Sequence, residues 1–181
     1  MDNSKEHTKI PVWAFETIEI KKPDPDWKYK GIREREELCI LLSAFGVKQV
    51  EHIGSTSIPN LPAKPIIDLM ASIPSLEPLN KIAETLKSHE WHYVPPELDK
   101  RPWRRFFVKV KNDKRIAHLQ LMAEGEERWD QLIKFRNKLR TNSDLANEYG
   151  AIKSHLAQEY KSDRETYTAA KTEFINKVLH N

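Results

Sequence analysis

Apolar residues recur at every third or fourth position in two segments of the N-terminal half, and this spacing predicts amphipathic helices. The first helix is predicted over about residues 27–45, where Asp26 stands in position to cap its start. Gly46 follows its end, where a left-handed residue is favoured. The second helix, of roughly three turns, carries the apolar positions between Leu76 and Leu86.

The C-terminal third of the chain is helical in pattern throughout. Three helices are predicted there, over about Glu126–Arg140, Asp144–Gln158 and Asp163–Leu179. Asn142 or Ser143 is the predicted cap of the middle helix, and Ser162 or Asp163 that of the last.

Alternating or continuous apolar runs predict the strands. They cover Val12–Ile20, Val47–Ile53, Pro65–Ile73, Trp91–Val94, Arg104–Val110 and Ile116–Met122. A turn at Asn112 and Asp113 joins the last two, which we expect to pair in an antiparallel hairpin. Strands mixed with helices, followed by helices alone, predict an α+β fold. We expect a small mixed β-sheet with flanking helices and a C-terminal helical section of about 124–181. The whole chain, 1–181, is predicted to form a single domain.

Composition narrows the class of protein. The formal net charge of +3 is too small to indicate nucleic-acid binding by itself. The single cysteine, Cys39, excludes an internal disulfide, fits a reducing compartment and is expected to be a buried structural thiol. The N-terminus has no apolar signal region, and no apolar run approaches the ~20 residues of a membrane span. We therefore expect a cytoplasmic protein with no membrane association, whose oligomeric state the sequence leaves open.

One stretch carries candidate chemistry. A Gly-Ser turn at Gly54 and Ser55 follows one predicted strand, and Asp68 lies inside the next, among Ile66, Ile67, Leu69 and Met70. Backbone N–H groups of such a turn can bind phosphate oxygens, and a carboxylate is a preferred ligand of Mg²⁺. This arrangement is how a nucleotidyltransferase positions a triphosphate and its metal, although an ordinary strand-ending turn, with Thr56 and Ser57 as local caps, accounts for the same residues.

The amino-acid sequence of that stretch is more specific than a turn followed by an acid. The sequence from Glu51 to Asp68, EHIGSTSIPNLPAKPIID, resembles the signature of the GrpB family, a branch of the nucleotidyltransferase-like fold. The resemblance continues in order along the chain to about residue 179, through 104-RRFFVK-109, 115-RIAHLQ-120 and 135-FRNKLR-140, and then through Tyr149, Lys153, Tyr167 and Lys171. It implies a nucleotidyltransferase-like fold with a nucleotide or phosphate site at Gly54, Ser55 and Thr56.

Two positions depart from a generic nucleotidyltransferase. Such enzymes carry a second acid two residues after the first, where this chain has Met70, and a third on a neighbouring strand. On the strand of His118 that face carries no acid, and Gln120 replaces a residue that is often histidine in the family. We therefore expect Asp68 to be the metal ligand, for one Mg²⁺ at most, completed by nucleotide phosphates and waters.

Further candidates have positive or titratable side chains. Lys64 and Arg105 are predicted to bind phosphate, Arg105 bidentately, and Arg136 and Arg140 to close over the anion from a helix. His118 is the candidate general base or acceptor contact. Each residue also fits a role without chemistry. Lys64 is then a solvated surface lysine, and Arg105 is part of a solvated basic hairpin over 100–115. Arg136 and Arg140 are then solvated helix arginines, and His118 is a histidine that packs in the core or orients a ligand.

Three functions are consistent with these residues. The first is transfer of a nucleoside monophosphate from an NTP to a small-molecule acceptor with Mg²⁺. The second is non-catalytic binding of a nucleotide or CoA-related phosphometabolite, which the missing acids favour. RNA binding by the basic hairpin ranks last, because no RNP, KH or zinc-knuckle pattern occurs. The chain has no Gly-x-x-x-x-Gly-Lys-[Ser/Thr] loop, so a P-loop kinase is excluded.

Overall fold

A computed structural model describes residues 10–180. Helices and strands come in the order α1 (Asp26–Leu42), β1 (Val50–Ile53), β2 (Ile67–Ile73), α2 (Leu79–Lys87), β3 (Trp91–Val94), α3 (Pro96–Asp99), β4 (Arg105–Lys111), β5 (Lys114–Ala123), α4 (Glu127–Thr141), α5 (Ser143–Glu159), α6 (Arg164–Ala170) and α7 (Thr172–His180). The predicted mixed α and β content is confirmed.

The five strands form one mixed sheet in the order β1-β2-β5-β4-β3. Strands β2 and β5 are parallel, and every other neighbouring pair is antiparallel. Asn112 and Asp113 adopt positive φ in the two-residue turn of the β4–β5 hairpin, as the sequence predicts.

The two faces of the sheet have different partners. Leu69, Phe107 and Leu119 point to one face, where they form the main core with Leu38 and Leu42 of α1. The opposite face is covered in part by α4, whose Trp129, Leu132 and Ile133 pack with Ile53, Met70 and Met122. Since side chains alternate along a strand, Asp68 and His118 lie on this second face, towards the C-terminal helices.

Helix ends follow the predicted signals in three places. Gly46 is left-handed (φ 85°) and ends the 3₁₀ turn Ser43–Phe45 that follows α1. Asn142 accepts a hydrogen bond from the Leu145 amide and caps α5, and Asp163 does the same for Thr166 at the start of α6. Asp26 is instead the first residue of α1, and the side chain of Asp24 accepts from its amide.

Two predicted elements are wrong. Val12–Phe15 is a 3₁₀ helix rather than the start of a strand, and Val12 and Phe15 are largely exposed. The alternation of apolar residues after Phe15 does not mark a strand. Ile18 is buried against Ala157 and Tyr167 and does not pair in the sheet. The last predicted helix is two helices, since the helical run is interrupted at Lys171. None of the helices within residues 10–180 is long and apolar enough to cross a membrane.

Candidate functional site

The turn after β1 lies directly against the carboxylate of Asp68. Gly54 has φ 69° and ψ −175°, a region that side chains strongly disfavour, and the 3₁₀ turn Ser55–Ser57 follows it. A Cβ atom added to Gly54 would lie 2.5 Å from Oδ2 of Asp68. The close approach that requires glycine here is therefore an approach to Asp68, and it brings the turn and the acid into one site.

Asp68 and His118 form a pair across β2 and β5. They stand opposite each other in the parallel register, and Nδ1 of His118 lies 3.0 Å from Oδ1 of Asp68. A carboxylate accepts, so Nδ1 carries the hydrogen and Nε2 is the basic nitrogen. That Nε2 is buried and has no hydrogen-bond partner among residues 10–180, and the ring of Phe106 packs edge-on at 5.1 Å between centroids.

The charge states of this pair follow from its surroundings. Burial raises the pKa of Asp68, but the hydrogen bond from His118 and the positive charges of His118, Lys64 and Lys171 outweigh it and hold that pKa below its ordinary value. Burial lowers the pKa of His118 by more than Asp68 raises it. The pair is thus an ionised carboxylate with a neutral imidazole at neutral pH, the state in which the histidine can accept a proton.

Three lysines on the same face place positive charge around Asp68. Lys64 precedes β2, Lys153 lies on α5, and Lys171 lies at the junction of α6 and α7. Their ammonium groups are desolvated, which lowers the pKa of Lys64 to about 8 and those of Lys153 and Lys171 to about 7. Repulsion by Lys64 contributes to the lowered pKa values of Lys153 and Lys171, and repulsion by Lys171 to that of Lys153, whereas the charge of Asp68 raises the pKa values of all three.

Two tyrosine rings hold these ammonium groups. Lys64 and Lys171 approach the ring of Tyr167, with Nζ 5.3 Å and 4.3 Å from its centroid. Lys153 lies 5.0 Å from the centroid of Tyr149 and donates to the carbonyl of Pro62 in the loop before β2. Such contacts orient an ammonium group without neutralising it.

The hydroxyl groups of the turn mostly satisfy local bonds. Thr56 is buried, donates to the Ile66 carbonyl and lies 2.9 Å from Nε2 of His52, and Ser57 donates to the Gly54 carbonyl. The Ser55 hydroxyl instead lies close to that of Tyr149. Ser55 is therefore the turn hydroxyl best placed for a ligand, and Thr56 supports the loop.

Arg136 and Arg140 brace the turn from α4. Arg136 donates to the side chain of Glu51 (2.6 Å) and to the carbonyl of His52, and Arg140 donates to the carbonyl of Ser57. These donors support the backbone that forms the turn, so a structural role accounts for both arginines.

Arg105, which was predicted to bind phosphate at this site, lies on the opposite face of the sheet from Asp68. Arg105 pairs with Leu121, whose side chain lies in the main core, so it points to the α1 and α2 face and away from Asp68. Its guanidinium donates to the carbonyls of Pro102 and Arg104. The spacing along β4 predicts which side chains share a face, but the face on which they lie depends on how the sheet packs.

That other face carries a groove of about 470 Å³, away from Asp68. Lys109 lines it, and its ammonium group is paired with Glu34 at 2.9 Å and Glu37 at 2.7 Å. The buried charge there is already neutralised within the chain, so we do not place candidate chemistry in this groove.

The family model described as GrpB protein matches residues 17–181. This chain belongs to the GrpB family. Among relatives, the UPF0157 protein YqkA of Bacillus subtilis is 32% identical over 166 residues, which are 91% of this chain and 47% of YqkA. The UPF0157 protein PA4798 of Pseudomonas aeruginosa is 34% identical over 168 residues, 90% of this chain and 66% of that protein. The chain thus spans about half to two thirds of their lengths. A dephospho-CoA kinase of Mycolicibacterium paratuberculosis is 21% identical over 176 residues, 85% of this chain and 43% of the kinase.

Solved structures agree on the fold. GrpB from Enterococcus faecalis has a TM-score of 0.79 at 29% identity, covering 90% of this chain and 95% of that one. Cid1 poly(U) polymerase, solved with bound Mg 3′-dATP, has a TM-score of 0.52 at 13% identity, covering 77% of this chain and 43% of Cid1. The GrpB fold is therefore nucleotidyltransferase-like.

The donor set around Asp68 in this GrpB chain does not fit a metal centre held by protein ligands. Within residues 10–180 no group of three His, Cys, Asp or Glu side chains is placed to hold a metal ion. Met70 is fully buried in an apolar cluster, Gln120 stands beside it in the register, and Oδ1 of Asp68 accepts from His118. Mg²⁺ on Asp68 stays a prediction that these surroundings do not favour.

Lys153 and Lys171 are site residues that the sequence analysis named only as positions of the family resemblance, without a role at the site. Both end a Tyr-x-x-x-Lys segment, Tyr149 to Lys153 and Tyr167 to Lys171, and residues four apart on a helix lie side by side. The repeated spacing is a usable signal for a cation held on an aromatic ring. It contains no indication that both helices deliver their lysines to Asp68.

Proposed function

We propose that this GrpB chain binds the phosphate chain of a nucleoside triphosphate between the Gly54 turn and the lysines, and transfers the nucleoside monophosphate to a small acceptor. The observation that supports this most is the pairing of Asp68 with a neutral His118 beside an excess of positive charge. The fold shared with nucleotidyltransferases agrees with the reaction class but carries no substrate with it.

His118 is the proton acceptor in this proposal. An acceptor hydroxyl or amine loses its proton to Nε2 as its oxygen or nitrogen bonds to the α-phosphorus. The bond from that phosphorus to the oxygen bridging to the β-phosphate breaks, and pyrophosphate leaves. Asp68 keeps Nε2 free by accepting from Nδ1 and stabilises the imidazolium that forms. Nε2 is covered in the unliganded chain, so the acceptor has to displace a covering side chain.

The lysines neutralise the charge of the leaving group. Lys64 and Lys171 are half-buried, so their ammonium groups combine access with partial desolvation, which strengthens attraction to phosphate. Backbone N–H groups of the turn that lies against Asp68 and the Ser55 hydroxyl add further donors. A single Mg²⁺ carried in by the nucleotide and bound to Asp68 is the metal-dependent version of the same proposal.

The second candidate function is binding without turnover. Met70 and Gln120 stand where nucleotidyltransferases carry acids, and this favours a protein that holds a nucleotide or a CoA-related phosphometabolite. The similarity to part of a dephospho-CoA kinase makes CoA and dephospho-CoA suitable probes. We rank RNA binding below both, since Arg104 and Lys109 of the basic hairpin are already paired with acids of the chain, Arg104 with Asp99 and Lys109 with Glu34 and Glu37.

Two measurements separate these functions. Thermal melts with ATP, GTP, CTP, UTP, CoA and dephospho-CoA report binding, since ligand at about 100 times Kd adds ~2.7 kcal/mol, or roughly 5–10 °C for a chain of this size. Incubation of α-labelled NTPs with a small-molecule cell extract reports transfer. We expect labelled product from the wild type and none from His118→Asn, with the exposed His155→Asn as matched control. Stabilisation without product selects the binding function, and a flat melt series with no product contradicts both.

A further inference from the structure

The lysines around Asp68 outnumber the negative charge available to them. Lys64, Lys153 and Lys171 form no ion pair with a carboxylate of residues 10–180, although Lys153 is almost entirely buried, with 2% of its surface exposed. Asp68 is the acid whose charge acts on all three. Although Lys153 and Lys171 are only partly protonated at pH 7, the three lysines together carry more positive charge than Asp68 carries negative charge, and this excess attracts an anion.

These lysines also have hydrogen-bond donors without an acceptor among residues 10–180. Each ammonium group carries three N–H donors. Lys153 donates to the Pro62 carbonyl, while Lys64 and Lys171 rest on the ring of Tyr167 and donate to no other group within the described part of the chain. Phosphate oxygens accept several hydrogen bonds at once, so a polyphosphate matches both the free donors and the charge.

Asp68 is poorly placed to contribute a metal to that ligand. Oδ1 accepts from His118, and Oδ2 points beneath Gly54, where a Cβ atom would be only 2.5 Å away. A divalent cation at the remaining approach would meet three ammonium charges with one carboxylate to hold it. In the unliganded chain Asp68 acts as a counter-ion for the lysines.

We propose that Lys64, Lys153 and Lys171 bind the polyphosphate of the ligand without a divalent cation, and that the charge of Asp68 opposes this binding. The inference rests on the proposed phosphate site but departs from its metal-dependent version. The two versions predict opposite signs for one substitution. Asp68→Asn keeps an oxygen acceptor for His118 and removes the charge, so metal-free binding tightens, whereas binding through Mg²⁺ is lost.

The test is calorimetric titration of inorganic tripolyphosphate and of ATP, each in EDTA and in excess Mg²⁺. Wild-type protein is expected to bind tripolyphosphate in EDTA. Asp68→Asn should tighten that binding about fivefold, the effect of removing one like charge roughly 4 Å away in water. Lys171→Met and Lys153→Met should weaken it at least about tenfold, as loss of a charge-assisted hydrogen bond does. Lys177→Met, on the exposed face of α7, is the matched control and should leave binding unchanged.

Each outcome has a distinct meaning. Binding that appears only with Mg²⁺ and disappears in Asp68→Asn overturns the inference and leaves the proposed phosphate site standing. Equal weakening by Lys177→Met and Lys171→Met means general charge attraction and also overturns it. No binding of either probe in either buffer contradicts the proposed site itself. Melting curves of every variant show that a loss of binding is not a loss of folding, and Lys171→Met, at a half-buried position, serves if Lys153→Met does not fold.

Discussion

Gly54→Ala is the sharpest test of the contact between the turn and Asp68. Two separate penalties act at this position. The backbone at φ 69° and ψ −175° lies in a region almost restricted to glycine, where a side chain costs about 1–3 kcal/mol. The new methyl group would also lie 2.5 Å from Oδ2 and 2.9 Å from Cβ of Asp68, well inside the ~3.5 Å at which such atoms attract.

The two penalties combine to about 4 kcal/mol. Crowding of this kind usually costs about 1–3 kcal/mol, because the backbone has to shift to relieve it. A loss of about 4 kcal/mol lowers the melting temperature by roughly 8–16 °C for a chain of 150–250 residues. We expect Gly54→Ala to remain folded, since domains have about 5–15 kcal/mol of stability, and to be clearly weakened in urea denaturation.

Gly125→Ala is the matched control. Gly125 also has a left-handed backbone (φ 85°), but an added Cβ would have no heavy atom within 4 Å. It therefore reports the backbone penalty alone, about 1–2 kcal/mol. The difference of about 2 kcal/mol between the two variants combines the crowding against Asp68 with the stricter backbone requirement at Gly54.

A double-mutant cycle with Asp68→Ala assigns that crowding to its atoms. This substitution removes Oδ2 and Cγ and leaves the Cβ contact, so Gly54→Ala should cost about 1 kcal/mol less in the Asp68→Ala background. If Gly54→Ala costs no more than Gly125→Ala, or if the cycle is strictly additive, the turn does not rest on the carboxylate and the geometry of the site is refuted.

Three further variants test the charge and the scaffold. Burial is the main reason that the pKa of Lys153 is lowered from 10.5 to about 7. Between these pH values the unfolded chain binds more protons than the folded chain. The free energy of unfolding therefore rises with pH there, by up to about 1.4 kcal/mol per pH unit from this lysine. Lys153→Met should show a smaller rise, because Lys64 and Lys171 still contribute, and equal slopes for variant and wild type in urea denaturation from pH 7 to 9 contradict this. Arg136→Leu leaves the partly buried Glu51 carboxylate without its ion-pair partner and should lower the free energy of unfolding by about 2–4 kcal/mol in the same assay. Adding Glu51→Leu should restore part of this loss. A wild-type midpoint for the single variant rules this out. Asn142→Ala removes the cap of α5 and should lower stability by about 1 kcal/mol, whereas the neighbouring Ser143→Ala should be near neutral; equal midpoints for the two argue against the cap.

Several parts of this protein are determined locally and could be predicted from the sequence. The caps at Asn142 and Asp163 and the left-handed end at Gly46 depend on residues within one turn of each other. The hairpin at Asn112 and Asp113 is equally local, because positive φ at both positions suits those residue types. The association of the Gly-Ser turn with Asp68 could also be predicted, because both lie in the stretch that resembles the GrpB signature.

Other features were decided by tertiary packing. Alternation places Arg105 and Phe107 on one side of β4, but only the sheet with its helices decides that this side faces the main core and not Asp68. The alternation around Ile18 likewise reflects packing against Tyr167 rather than a strand. The charge of Asp68 acts on Lys153 and Lys171, which lie far along the chain, and nearness in space between distant residues leaves no periodic pattern in either segment. Local backbone preferences therefore set the elements and their ends, whereas burial and the meeting of distant charges, which define the site, exist only once the chain is folded.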